Sequence, residues 1–168
     1  KPVAVAYAGK SLAVADTDNN RVMIWRTLPT ANQQPADLVL GQKDFTSYLP
    51  GLSGSGMRGP QGVWLDENEG LWVADTGNNR VLYFGQVTQN GQEAKLVLGQ
   101  TGPGVNQQTG KYPEYLVSAS AMLAPTGVVA KGGKLIVADL GLNRVLLWNA
   151  IPTSNGQAAD LVLGQPDF

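Results

Sequence analysis

The sequence contains no cysteine and no histidine. Those two absences exclude disulfides, zinc sites built on Cys or His, thiol and imidazole nucleophiles, and any Ser-His-Asp triad. Charge is also scarce: Asp, Glu, Lys and Arg make up 15% of the residues, and 12 basic against 13 acidic side chains leave a formal net charge of −1. The basic residues are scattered and the isoelectric point is about 5.3. Nucleic acid is therefore not an expected partner, because a phosphate backbone calls for clustered positive charge. No apolar run approaches the roughly eighteen residues of a membrane-spanning helix, and no segment sustains an apolar period of 3.6 residues. The lack of cysteine leaves the redox compartment open. The start at Lys1-Pro2-Val3, with neither an initiator Met nor a leader, is what a trimmed or excised piece would show.

What the sequence does have is apolar residues (43%), with 21 Gly and 10 Pro to turn the chain often. That describes one globular domain over residues 1–168 with a sizeable core. Self-similarity then organises it. Leu12-Ala13-Val14-Ala15-Asp16 recurs as Leu71-Trp72-Val73-Ala74-Asp75 and Leu135-Ile136-Val137-Ala138-Asp139. Each Asp stands five residues before an Arg: Arg21, Arg80 and Arg144. Each unit opens near a Pro (Pro2, Pro60, Pro125) and closes on Leu-Val-Leu-Gly-Gln, ending at Gln42, Gln100 and Gln165. The units run over about 2–42, 60–100 and 125–165. Every unit holds four short runs rich in β-branched and aliphatic residues, separated by Gly, Asn, Asp and Pro. In the second the expected strands are 61–65, 70–75, 80–84 and 95–99. Its Asp75-Thr76-Gly77-Asn78-Asn79-Arg80 turn offers Gly and Asn for positive φ. Four antiparallel strands at a fixed repeat predict an all-β propeller of three four-stranded blades.

The pattern P-x-G-V … L-x-V-A-D-T-x-N-N-R-V resembles the NHL repeat. The blade ending Ala36–Phe45, ADLVLGQKDF, repeated at Ala159–Phe168 as ADLVLGQPDF, is similar to long NHL arrays of secreted bacterial proteins. The resemblance implies half of a six-bladed ring and a secreted or cell-envelope location. It also implies a domain type that serves as a protein-binding, RNA-binding or occasionally lyase module. An open row of three blades should expose an apolar face at each end, of the kind Val14, Val22 and Ile24 in the first blade and Ile136, Val145 and Leu147 in the third. Apolar patches beyond roughly 300–600 Å² are uncommon on monomers. Ring closure by a second copy, as a homodimer, or further blades of a longer chain are the expected remedies.

Residues present in every blade are read as structural. The Asp16–Arg21, Asp75–Arg80 and Asp139–Arg144 pairs are expected to satisfy buried polar groups at the turn, with the carboxylate accepting turn amides. Specificity is expected where the repeats differ. The long connections 43–59 and 101–124 should lie on the same face as the turns. They carry Phe45, Tyr48, Met57, Arg58, Tyr112, Glu114 and Tyr115. Of these Tyr48, Arg58, Tyr112 and Tyr115 are the partner-binding candidates, together with Leu140 and Leu142, which replace polar residues of the other two turns. Trp64 stands where the first blade has Ala6 and the third Val129, and either narrows the central channel or packs in the core. Asp66-Glu67-Asn68-Glu69-Gly70 lacks the alternating ligand pattern of a calcium loop. The innermost strands carry no acid.

No catalytic residue, metal ligand or cofactor site is therefore assigned, and the expected role is a non-catalytic scaffold for a protein, peptide or glycan. The alternative is a metal-dependent lyase or lactonase of the six-bladed type whose catalytic residues lie in blades outside this chain.

Overall fold

The computed structural model describes residues 1–108 and 114–168. Twelve strands form three four-stranded antiparallel sheets. The first contains β1 (Pro2–Ala8), β2 (Ser11–Asp16), β3 (Arg21–Trp25) and β4 (Leu38–Leu40). The second contains β5 (Gly62–Leu65), β6 (Leu71–Asp75), β7 (Arg80–Gly85) and β8 (Leu96–Leu98). The third contains β9 (Pro125–Lys131), β10 (Lys134–Asp139), β11 (Arg144–Trp148) and β12 (Leu161–Leu163). In each sheet the strands are hydrogen-bonded in chain order. These are propeller-type blades, as the repeat predicts.

Each strand presents alternate side chains to opposite faces of its sheet. In the first blade Ala13, Ala15, Val22 and Ile24 point forward onto the second blade and meet Val63, Leu65, Val73, Leu82 and Phe84 in one buried cluster. The second blade turns Trp72, Val81, Leu96 and Leu98 forward onto Val128, Leu135, Val137, Leu146 and Trp148 of the third. Each blade thus has a forward face and a backward face, and the apolar core is the two seams between them.

The strand parity corrects one expectation. Val22 and Ile24 are buried in the first seam, whereas Val14 is half-buried on the backward face. Val14 pairs with Met23 across the strands and Ala15 with Val22, so Val14 and Val22 cannot share a face. The first blade's bare surface is instead Val5 and Tyr7, 67% and 57% exposed, beside half-buried Val14, Met23 and Trp25. On the third blade the expectation holds: Ile136 is exposed and Val145 and Leu147 are half-buried, and Leu161 and Leu163 join them at 51% and 56% exposed.

The strand-two-to-strand-three turn is not the simple hairpin expected. It is a short 3-10 turn (Thr17–Asn19, Thr76–Asn78, Leu140–Leu142), closed by an Asn in the left-handed region at Asn20, Asn79 and Asn143, with φ of 54°, 57° and 53°. Asparagine tolerates that region better than most residues. Gly77 is there for a different reason: a Cβ on it would come 2.7 Å from the Arg58 carbonyl oxygen.

Candidate functional site

The recurrent Asp–Arg pair is built by strand register, since Asp75 and Arg80 face each other where β6 turns into β7. Arg80 Nε donates to Asp75 Oδ2 at 2.7 Å and both side chains are fully buried. The guanidinium then reaches the loop that enters the blade, donating to the carbonyls of Leu52, Ser53 and Gly56. Asp75 Oδ2 also accepts from Asn78 Nδ2, and Oδ1 accepts the Arg58 amide. Burial pushes the Asp75 carboxyl up, against the opposing pull of Arg80. The pair therefore fastens the 43–59 loop to the turn. The backbone amide it accepts comes from that loop, while the turn contributes only the Asn78 side-chain amide, since no side-chain cap forms on the 3-10 segment; the expected role of accepting turn amides is corrected to that extent.

The same arrangement recurs in the third blade, less completely. Arg144 Nε donates to Asp139 Oδ2 at 2.9 Å, and the Leu123 amide donates to Oδ1. Burial raises the Asp139 carboxyl too, against the Leu123 amide and Arg144. Leu142 stands where Asn78 stood, so that bridge is missing, and the buried Arg144 Nη1 has no hydrogen-bond partner among the described residues. Restoring the amide with Leu142→Asn is expected to raise stability by about 1 kcal/mol. A rise in denaturation midpoint with unchanged slope would record it. In the first blade Asp16 is partly exposed. Burial still works against its charge, but hydrogen bonds from Asn19, Arg21 and the Lys1 ammonium win and hold its carboxyl below the usual range.

The closing Leu-Val-Leu-Gly-Gln has a matching purpose, which repetition alone did not reveal. Gln42 Nε2 donates to the carbonyls of Asn20 and Leu49, and Gln100 Nε2 to that of Asn79, so each Gln ties the outer strand to the turn. Gly41 and Gly99, at φ of 84° and 86°, leave no room for a side chain: a Cβ would come within 3.0 Å of Met57 in one case and Met122 in the other. Met57 and Met122, both buried, plug the space against Gly41 and Gly99, just past the preceding blade's outer strand.

The partner-binding candidates sit on this turn face but over different blades. Tyr48 is 60% exposed, and its carbonyl accepts from Asn20 Nδ2 at the first turn. Arg58 is exposed beside the second turn, with its aliphatic stem against Gly77. Leu140, 61% exposed, and half-buried Leu142 form the third turn. Tyr115 is half-buried, and Tyr112 lies outside the described residues. Exposed Leu49, Leu116 and Val117 belong to the same face. Sequence reasoning passed over them because an aliphatic residue in a loop reads equally well as a loop anchor.

Trp64 is half-buried and donates from Nε1 to the Ala130 carbonyl at 2.8 Å, packing into the seam between the second and third blades. It also borders a cleft of about 330 Å³ lined by Val5, Tyr7, Trp64, Leu65 and Lys131, from the three innermost strands and their ends. Asp66 is occupied in its own turn, accepting the amides of Asn68 and Gly70. Among the described residues no three acidic side chains gather as a metal site would require.

Residues 57–84, from the Met57 plug through β7, match the family model of the NHL repeat. The chain carries an NHL repeat. The flanking sheets repeat the NHL blade's strand order and its Asp–Arg turn. No curated protein matches the chain. Among solved structures, it is similar to a catalytically inactive virginiamycin B lyase from Staphylococcus aureus with quinupristin, at 14% identity and a TM-score of 0.49, covering 98% of this chain and 41% of the lyase. It is also similar to a chain of a humanized mutant of the Chaetomium thermophilum Polycomb Repressive Complex 2 with a bound inhibitor. There the identity is 13% and the TM-score 0.46, covering 82% of this chain and 25% of that one. The NHL-bearing chain thus spans less than half the length of either.

Proposed function

We propose that this chain is a non-catalytic binding and scaffolding module, three NHL-type blades working inside a six-bladed ring and presenting the turn face to a protein, peptide or glycan. The observation that supports it most is the composition of that face. Buried Asp–Arg pairs and Gln side chains anchor the loops rigidly, while Tyr48, Leu49, Leu116, Val117 and Leu140 remain exposed above them. Rigid loops carrying exposed aromatic and aliphatic groups bind at low entropic cost. Ring completion falls to the two bare end faces, through a second copy of the chain. A secreted or cell-envelope setting suits the sparse charge and the Asn-, Gln- and Gly-rich surface.

Peptide and glycan arrays probed with the wild type and with a Tyr48→Ser/Leu140→Thr variant test the reading. The variant should melt at the wild-type temperature and lose at least about tenfold in affinity for whatever the wild type captures, since exposed aromatic anchors carry a large share of interface energy. Equal binding by both proteins, or none by either, would remove it.

A further inference from the structure

The two seams inside the chain are fastened identically. At the first, Asn90 Oδ1 accepts the Val39 amide at 3.0 Å and the Gly91 amide donates to the Val39 carbonyl at 3.0 Å. At the second, Asn155 Oδ1 accepts the Val97 amide at 2.9 Å and the Gly156 amide donates to the Val97 carbonyl at 2.9 Å. Each blade's third-to-fourth-strand loop therefore clamps the free edge of the blade before it, at the middle residue of its outer strand. Gly91 and Gly156 adopt φ of 60° and 64° to do so.

Both halves of a third such clamp are present, and neither is engaged among the described residues. On the third blade, Val162 pairs with Leu146 as Val39 pairs with Met23, which turns its amide and carbonyl to the open edge of β12. On the first blade, exposed Asn32 and Gln33 occupy the positions of Asn90 and Gly91. Gln33 holds φ of 59° although it is not glycine. A side chain disfavours that backbone, yet the clamp shape is kept although none of the described blades stands before this loop. The surfaces behind these loops differ in kind, as they do within the chain. The third blade offers a forward face of Ile136, Val145 and Leu163, and the first a backward face of Val5, Tyr7 and Val14.

We infer that the first blade of one copy docks on the third blade of another, with Asn32 and Gln33 of each clamping Val162 of its partner, so that two copies close a ring through two equivalent seams. This rests on the proposed ring, and names its partner and its lock. Joining unlike faces head to tail closes only if the rotation per copy permits, and here two copies supply six blades.

The test is sedimentation equilibrium on the whole chain, with amide exchange alongside. The wild type is expected at twice 17.7 kDa at micromolar concentration, with the Val162 and Gln33 amides slowing in exchange as concentration rises. Asn32→Ala, exposed and away from the internal seams, should keep the wild-type melting profile when monomeric. It should raise the dimer dissociation constant roughly ten- to a hundredfold, one hydrogen bond being lost at each of two seams. A wild-type monomer, or an open series of larger assemblies, overturns dimeric closure together with this lock. A dimer indifferent to Asn32→Ala, with unslowed Val162, overturns the lock alone and leaves the ring standing. Array results on the turn face are independent of either outcome.

Discussion

Asp75→Ala is expected to lower the unfolding free energy by about 3–5 kcal/mol, the usual cost of leaving one partner of a buried ion pair uncompensated. Arg80 is fully buried with it and would keep only the carbonyls of Leu52, Ser53 and Gly56. The Arg58 amide would lose its acceptor as well, and the Asn78 side chain would keep only the Gly51 carbonyl. Chemical denaturation of Asp75→Ala beside Asp16→Ala checks the argument. The Asp16–Arg21 side chains are 16% and 17% exposed, so water can take over part of that interaction and the second loss should be clearly smaller. Equal losses would show that burial does not control the strength of the pair. Because the same pair fixes the 43–59 loop, proteolysis of Asp75→Ala should begin within that loop.

Trp72→Ala should have an effect of similar size, about 3–5 kcal/mol, through the cavity left by a large buried side chain. Trp72 is 1% exposed, stacks on Tyr83 with ring centroids 4.3 Å apart, and donates from Nε1 to Asp66 Oδ2. Its counterparts are Ala13 in the first blade and Ile136 in the third, so among the three blades only the second places a large ring at this position, in the seam with the third. A repeat protein is stabilised by each unit and by each interface between neighbours. Removing Trp72 should therefore separate the third blade's unfolding from that of the first two, visible as a second transition in calorimetry. A single unbroken transition with a loss below about 1 kcal/mol would contradict this role, since large buried aromatics rarely cost so little.

Single residues mark how far the sequence was readable. Asp75 and Arg80 could be paired from spacing, because the four residues between them form a short turn and strand register does the rest. The source of the carboxylate's third donor could not be read, since Arg58 arrives from a loop 17 residues earlier. Trp64 showed itself as an outlier among small residues, but only its bond to the Ala130 carbonyl, 66 residues away, decided that it packs into a seam. Leu140 and Leu142 were visible as departures from a polar turn. That one is exposed while the other leaves a hydrogen bond to Asp139 unmade needed the neighbouring side chains. Val22 and Ile24 were grouped with Val14 on the bare face, whereas register sets them on the opposite face from Val14, and alternation within one strand does not say which face points forward.

Repetition, strand-type composition and turn chemistry were enough to determine three four-stranded blades and the pairing of each Asp with its Arg, because these depend on local periodicity and on interactions a few residues apart. The lack of cysteine and histidine likewise closed whole classes of chemistry by itself. Which face of each blade points forward, which loop each arginine holds, and the clamp halves at Asn32 and Val162 were decided only by the tertiary structure. Those features are contacts between blades about 60 residues apart in the chain, and nothing in the local pattern carries the direction in which one sheet stacks on the next.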